Sequence, residues 1–155
     1  MKRKSGWLTP SEQRAWRAFI GVHQKLPGAL ARALQDCGSL STADYVVLVA
    51  LTDAPDGLRH FQDLANAVEW ERSRMSHHLR RMAKRGLVAQ EFCPKDGRGV
   101  HVVVTPDGRA AIEAAAPHHV TTVRRLVIDP LSPEELDTLT VLCERILGRL
   151  EMDPS

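Results

Sequence analysis

The sequence predicts a mainly α-helical chain built around a winged helix-turn-helix, in which a small β-hairpin follows the second of two short helices. Three observations predict it. A short amphipathic stretch, residues 61–67, is followed after a brief connection by a basic one, 71–85, closed by Gly86 where helices take a left-handed residue. Two β-type runs, 87–92 and 100–104, flank a loop carrying Pro94, Gly97 and Gly99. Hydroxyl-proline starts, Thr9-Pro10-Ser11-Glu12 and Ser132-Pro133-Glu134-Glu135, open longer helices on either side, each with a glutamate at the third helical position.

In chain order, the first helix starts at residue 10 and runs through Trp16, Phe19, Ile20, His23 and Leu26. Pro27-Gly28 is expected to kink or break it before 30–34 resumes the apolar spacing, and Asp36-Cys37-Gly38 ends it. Ser41 and Asp44 cap a second helix whose run 45–51 is too apolar for the surface and belongs to the core. After the helix pair and hairpin, Thr105-Pro106-Asp107 starts a fifth helix that reaches the 120s, with Pro117 as an expected kink. In the sixth, from residue 133, Leu136, Leu139, Cys143, Ile146 and Leu150 recur at alternating helical spacings, a heptad-type seam that needs a partner surface.

A chain of 155 residues, 43% hydrophobic and 26% charged, has the make-up of an ordinary globular protein rather than a disordered one. No apolar run approaches the roughly 20 residues of a membrane span. The basic start leads into Ser5-Gly6-Trp7 rather than an apolar secretion segment, so the expected location is the cytoplasm. Cys37, Cys93 and Cys143 are widely spaced and form no CxxC, which reads as reduced thiols. The pairs His77-His78 and His118-His119 point about 100° apart on a helix and do not face one ion, so no metal is expected. Neither GxSxG, a Walker loop nor a dinucleotide fingerprint occurs, so no enzyme and no cofactor are expected.

The net charge of +2 says little, but residues 71–85 alone carry +5, leaving −3 for the remainder. That is the footprint of a polyanion-binding face. With Met75 at zero and about 100° per residue, Leu79 and Met82 join Met75 on a buried stripe. Ser73, His77, Arg80 and Lys84 fall opposite, and Arg74 and Arg81 lie on one flank. A merely solvated face mixes acids with bases at i,i+4, whereas this one is nearly all of one sign. The strip suits the major groove of double-stranded DNA, where the N-terminal residues of a recognition helix reach the bases. Arg72, Ser73, Arg74, His77 and His78 are therefore assigned near bases, Arg80, Arg81 and Lys84 to phosphates, and Ser76 joins the DNA-binding set. On the hairpin tip, Lys95 and Arg98 face the minor groove, with Asp96 placed to orient Arg98.

From Leu64-Ala65 through Trp70, Arg72-Ser73-Arg74-Met75-Ser76, Leu79, Met82, Arg85-Gly86-Leu87-Val88, Asp96-Gly97-Arg98-Gly99 and Thr105-Pro106-Asp107-Gly108, the chain resembles the MarR family of bacterial transcriptional regulators. It departs from the commonest pattern at Gly97, where a second arginine often follows the wing aspartate. The resemblance implies a winged-helix homodimer in which helices one, five and six intertwine. Residues 1–37 are then an N-terminal dimerisation helix, 38–105 the winged helix-turn-helix DNA-binding domain, and 106–155 the C-terminal dimerisation helices, with the Leu136–Leu150 seam at the interface. It also implies a ligand-responsive repressor that binds a pseudo-palindromic operator and is released by a small aromatic or phenolic effector. Trp16, His23 and Tyr45 are the side chains suited to such an effector between helices one, two and five. Two alternatives stand beside this reading. One is a thiol-oxidation sensor of the same fold, in which oxidation at Cys93 displaces the wing. The other is a protein-binding winged helix without DNA specificity, in which helix six is the working surface.

Overall fold

The structure, a computed structural model, describes residues 6–38, 40–92 and 99–153. Its elements are α1 (Pro10–Cys37), α2 (Thr42–Thr52), β1 (Leu58–His60), α3 (Phe61–Ala67), α4 (Arg72–Lys84), β2 (Val88–Phe92), β3 (Val100–Val104), α5 (Pro106–Val123) and α6 (Pro133–Met152). The architecture is the expected one, mainly helical with a small antiparallel sheet. Contacts divide the chain into two units, one up to His118 and the other from His119, so α5 begins in the first and ends in the second. Among the described residues, no helix is long and apolar enough to cross a membrane.

Three helices begin with reciprocal capping boxes, Thr9 with Glu12, Ser41 with Asp44 and Ser132 with Glu135, each satisfying two otherwise orphaned amides. Of the kink or break expected at Pro27-Gly28, the break does not occur: α1 runs through both residues. Proline forfeits one hydrogen bond to the carbonyl four residues back, at roughly 3 kcal/mol. The helix continues beyond it because Leu34, fully buried in the core, anchors the following turns.

The core of the first unit gathers Leu34, Leu48, Leu51, Leu64, Met75, Leu79, Met82 and Val102, all without solvent exposure. Apolar residues of α2, α3 and α4 thus meet one face of the sheet, and Ile112 and Ala115 of α5 close it. The sheet has three strands in the order β1-β3-β2, one more than the hairpin read from the sequence. β1 pairs antiparallel with β3, Leu58 opposite Val103 and His60 opposite His101, and β2 pairs with β3 from Val88–Val104 to Phe92–Val100. A three-residue strand is too short to show an alternating pattern. Its entry depends on Gly57, at φ 64°, where a Cβ would lie 2.7 Å from Val104 Cγ1.

The hairpin is tied to α5 by Thr105. Its hydroxyl donates to the Gly86 carbonyl and accepts from the Gly108 amide at 3.0 Å, while its own amide donates to the Leu87 carbonyl at 3.2 Å. In the second unit, a π-helical turn, Arg124–Ile128, follows α5, and Arg124 bonds Asp129 at 2.8 Å. α6 buries none of its residues within the chain.

Candidate nucleic-acid interface

α3 and α4 are joined by Val68, Glu69, Trp70 and Glu71. Glu69 adopts a left-handed backbone, φ 55°, and the Trp70 amide donates to the Ala65 carbonyl at 2.9 Å, so main-chain bonds hold the turn. α4 ends at Gly86, φ 73°, with the Gly86 amide on the Ala83 carbonyl (3.0 Å) and the Leu87 amide on that of Met82 (3.1 Å). That is the double bond pattern of a glycine-terminated helix leading into a strand.

The predicted stripe of α4 is buried, Met75, Leu79 and Met82 having no exposure. Arg72, Ser73, Arg74, His77, Arg80, Arg81 and Lys84 are exposed, and Ser76 is half-buried. Among the described residues, none of the five cations in this group forms an ion pair with a carboxylate. The first turn of α4 holds no acid either, so Arg72 and Arg74 add to the positive end of the helix dipole instead of cancelling it.

Two grooves flank the helix. On the side of α3 and the sheet, Arg72 and Ser76 line a cavity of about 490 Å³ with His60, Gln62, Asp63 and Gln90. The Arg72 guanidinium lies 5.4 Å from the centre of the Phe61 ring. On the α2 side, Ser73, Arg74, His77 and Arg81 line a cavity of about 390 Å³ with Ala43 and Trp70.

His78, assigned near the bases, is not on the open face. It is 6% exposed and turned towards α2, where its Nε2 stands 3.0 Å from Asp44 Oδ1, at ion-pair distance but without hydrogen-bond alignment. The reason is angular: residue 78 lies three positions beyond Met75 and so falls beside the buried stripe. Its Nδ1 is 2.9 Å from an Nη of Arg81. A guanidinium only donates, so Nδ1 accepts and the ring carries its one proton on Nε2, towards the carboxylate. Asp44 also accepts from Arg85 at 2.7 Å and from the Ser41 amide at 2.9 Å. One buried carboxylate thus caps α2 and fastens the middle and end of α4 to it.

These pairings set a pH dependence. Burial holds the His78 ring below its ordinary 6.5, the neighbouring Arg81 acting in the same direction and Asp44 opposing it. The unfolded chain therefore takes the proton first: the contribution is full above pH 6.5 and is lost as pH falls towards the lower folded value. For Asp44, burial raises the pKa, but Arg85 and Ser41 outweigh it and leave the carboxyl below 3.8, so its contribution is lost only in stronger acid. Urea midpoints measured between about pH 7.5 and about pH 5 should fall for the wild type and fall less for His78→Asn.

The remaining predicted residues are distributed as follows. Lys95, Asp96 and Arg98, and with them Cys93, lie outside the described residues. Trp16, 54% exposed, stacks on Phe19 with ring centres 6.0 Å apart, and His23 lines a shallow depression with Phe19, Val22, Leu26 and Pro27. Tyr45 is half-buried against the core and does not line that depression. On α6, Leu139, Cys143, Ile146 and Leu150 are exposed and Leu136 is half-buried. Sequence reasoning read Asp44 only as a cap and Arg85 only as charge. The single available signal was an acid directly before the apolar run 45–51.

The model of the MarR family matches residues 39–99. Transcriptional regulator HosA of Escherichia coli O111:H- is 31% identical over 132 residues, 85% of this chain and 96% of its own length. Among solved structures, Sco3205, a MarR family transcriptional regulator from Streptomyces coelicolor determined in complex with DNA, superimposes with a TM-score of 0.87 at 36% identity, covering 96% of each chain. BpsR of Bordetella bronchiseptica, whose DNA binding is regulated by 6-hydroxynicotinic acid, gives 0.76 at 27% identity, over 91% of this chain and 97% of its own.

Proposed function

The chain belongs to the MarR family of transcriptional regulators, and we propose that it acts as a homodimer that binds a pseudo-palindromic operator in double-stranded DNA and represses the adjacent gene. The observation that carries this reading is the exposed face of α4, where Arg72, Arg74, Arg80, Arg81 and Lys84 stand without carboxylate partners among the described residues. Such a face repels itself in the free protein and is relieved by a polyanion, with release of condensed counterions. Ser73 and His77 project from its centre and Arg72 and Ser76 from the flank beside the sheet, where a helix lying in the major groove presents side chains to base edges, while Arg80 contacts a phosphate. Lys84, the last residue of the helix, contacts a phosphate.

A small aromatic acid is the effector class that fits the family. The stacked Trp16–Phe19 pair and the neighbouring His23 offer ring faces and a polar nitrogen on one side of α1. Likeness to BpsR supports an acid of this kind.

The test is a salt titration against a fluorescent duplex that the wild-type chain enriches from a random-sequence library. Tight, salt-dependent binding is expected. Arg72→Ala should lower the preference for this duplex over a scrambled one by about tenfold, and Lys84→Ala should weaken both equally and reduce the salt slope by about one per protomer. Absence of enrichment and of any binding at low salt would overturn the reading.

A further inference from the structure

The groove on the α2 side of α4 receives two guanidinium groups, and each is held in place by a neighbour. The Arg74 guanidinium carbon lies over the Trp70 ring, 4.1 Å from its centre. Arg81 is held by His78 Nδ1 at 2.9 Å. The holders are themselves fixed. Trp70 meets the His78 ring edge-on, with centres 5.3 Å apart and planes at 90°. His78 rests against Asp44, which is 1% exposed and anchored by the α2 cap and Arg85. The groups facing His78 are thus Asp44 from α2, Arg81 from α4, Arg85 just after it, and Trp70 from the turn before it.

An unrestrained arginine gives up rotamer freedom when it docks, and a planar fork already in position gives up less. Two cations aimed at one groove repel each other unless an anion arrives. Ser73 and His77 border the groove on the side of the base-facing centre of the helix, and at about 390 Å³ it has room for a tetrahedral anion. It lies on a flank of the recognition helix, which in the major groove faces a sugar-phosphate chain and not base edges.

We infer that this groove is a phosphate cradle for the DNA backbone, with Arg74 and Arg81 as its contacts and Trp70 and His78 as positioning residues. The inference rests on the DNA-binding reading and deepens it, because it moves Arg74 from the bases to the backbone. His78 acts through Arg81 and touches no DNA.

The experiment compares the wild type with His78→Leu, His78→Asn, Arg81→Ala and the double variant His78→Leu/Arg81→Ala in the same salt titration. Arg81→Ala and His78→Leu should each weaken binding to selected and scrambled duplexes alike and lower the salt slope by about two per dimer. Asparagine, whose side-chain oxygen replaces Nδ1 as acceptor, should restore most of the slope. The double variant should match Arg81→Ala alone, because a residue acting only through Arg81 has nothing left to contribute. An unchanged slope for His78→Leu, or an equal loss added on top of Arg81→Ala, would overturn the inference while leaving DNA binding intact. Failure of the wild type to bind any duplex would sink the DNA reading instead. In that case ¹⁵N spectra of the free protein still decide whether His78 positions Arg81: an unprotonated Nδ1 and slowed exchange of the Arg81 guanidinium, lost in His78→Leu, are expected, and a protonated Nδ1 would refute it.

Discussion

Replacing Gly108 with alanine is expected to lower the unfolding free energy by about 3 kcal/mol, at the upper end for overpacking a single methyl group. A Cβ there would intrude on the Leu87 carbonyl oxygen, stand 2.9 Å from the carbonyl carbon and 3.1 Å from Val104 Cγ2. Leu87 is backbone between α4 and β2, so it has no flexible end to swing away. Its carbonyl also accepts the Thr105 amide, and Thr105 ties Gly86 to the start of α5. Moving the carbonyl would therefore loosen the joint between recognition helix, hairpin and α5 together. Gly21 in α1 is the control: a Cβ there meets nothing within 4 Å, and alanine should be neutral or stabilising by up to about 1 kcal/mol. Urea unfolding of the two variants separates a steric demand from the general cost of a helical glycine.

The largest functional effect is expected from Leu139→Glu combined with Ile146→Glu. No residue of α6 is fully buried among the described residues, and Leu139, Leu142, Ile146, Leu147 and Leu150 are 39%, 48%, 45%, 57% and 65% exposed. Side chains of this kind along one helix mark an interface with another molecule. In a symmetric dimer each glutamate would enter an apolar seam twice. Sedimentation should show a monomer, and affinity for the selected duplex should fall by about 10²–10⁴, because two recognition helices no longer bind as one unit. A double variant that stays dimeric would place the interface elsewhere. One that becomes monomeric with full affinity would show that a single α4 suffices.

Much of this architecture was legible in the amino-acid order because local chemistry dictates it. Hydroxyl, proline and glutamate at fixed offsets define the starts of α1 and α6, and a glycine after Lys84-Arg85 defines the end of α4. The stripe Met75-Leu79-Met82 follows from helical spacing alone, and so does the exposed basic face opposite it. Two features were misread for the same reason. Pro27 was read from its local cost, but distant burial of Leu34 keeps the helix going. His78 was read from its polarity, but its angular place beside the stripe puts it against a carboxylate on another helix.

Where most helices begin and end, which face of α4 is apolar, and that the opposite face is cationic follow from local order along the chain, because these depend on residues within a few turns of one another. That Leu58–His60 is a strand, that Gly108 must lack a side chain, and that Asp44, His78, Arg81 and Arg85 form one network are consequences of packing between distant segments. Asp44 and Arg85 are separated by 41 positions. A contact across that distance exists only once a packed core has fixed α2 against α4, and no periodicity along the chain encodes it.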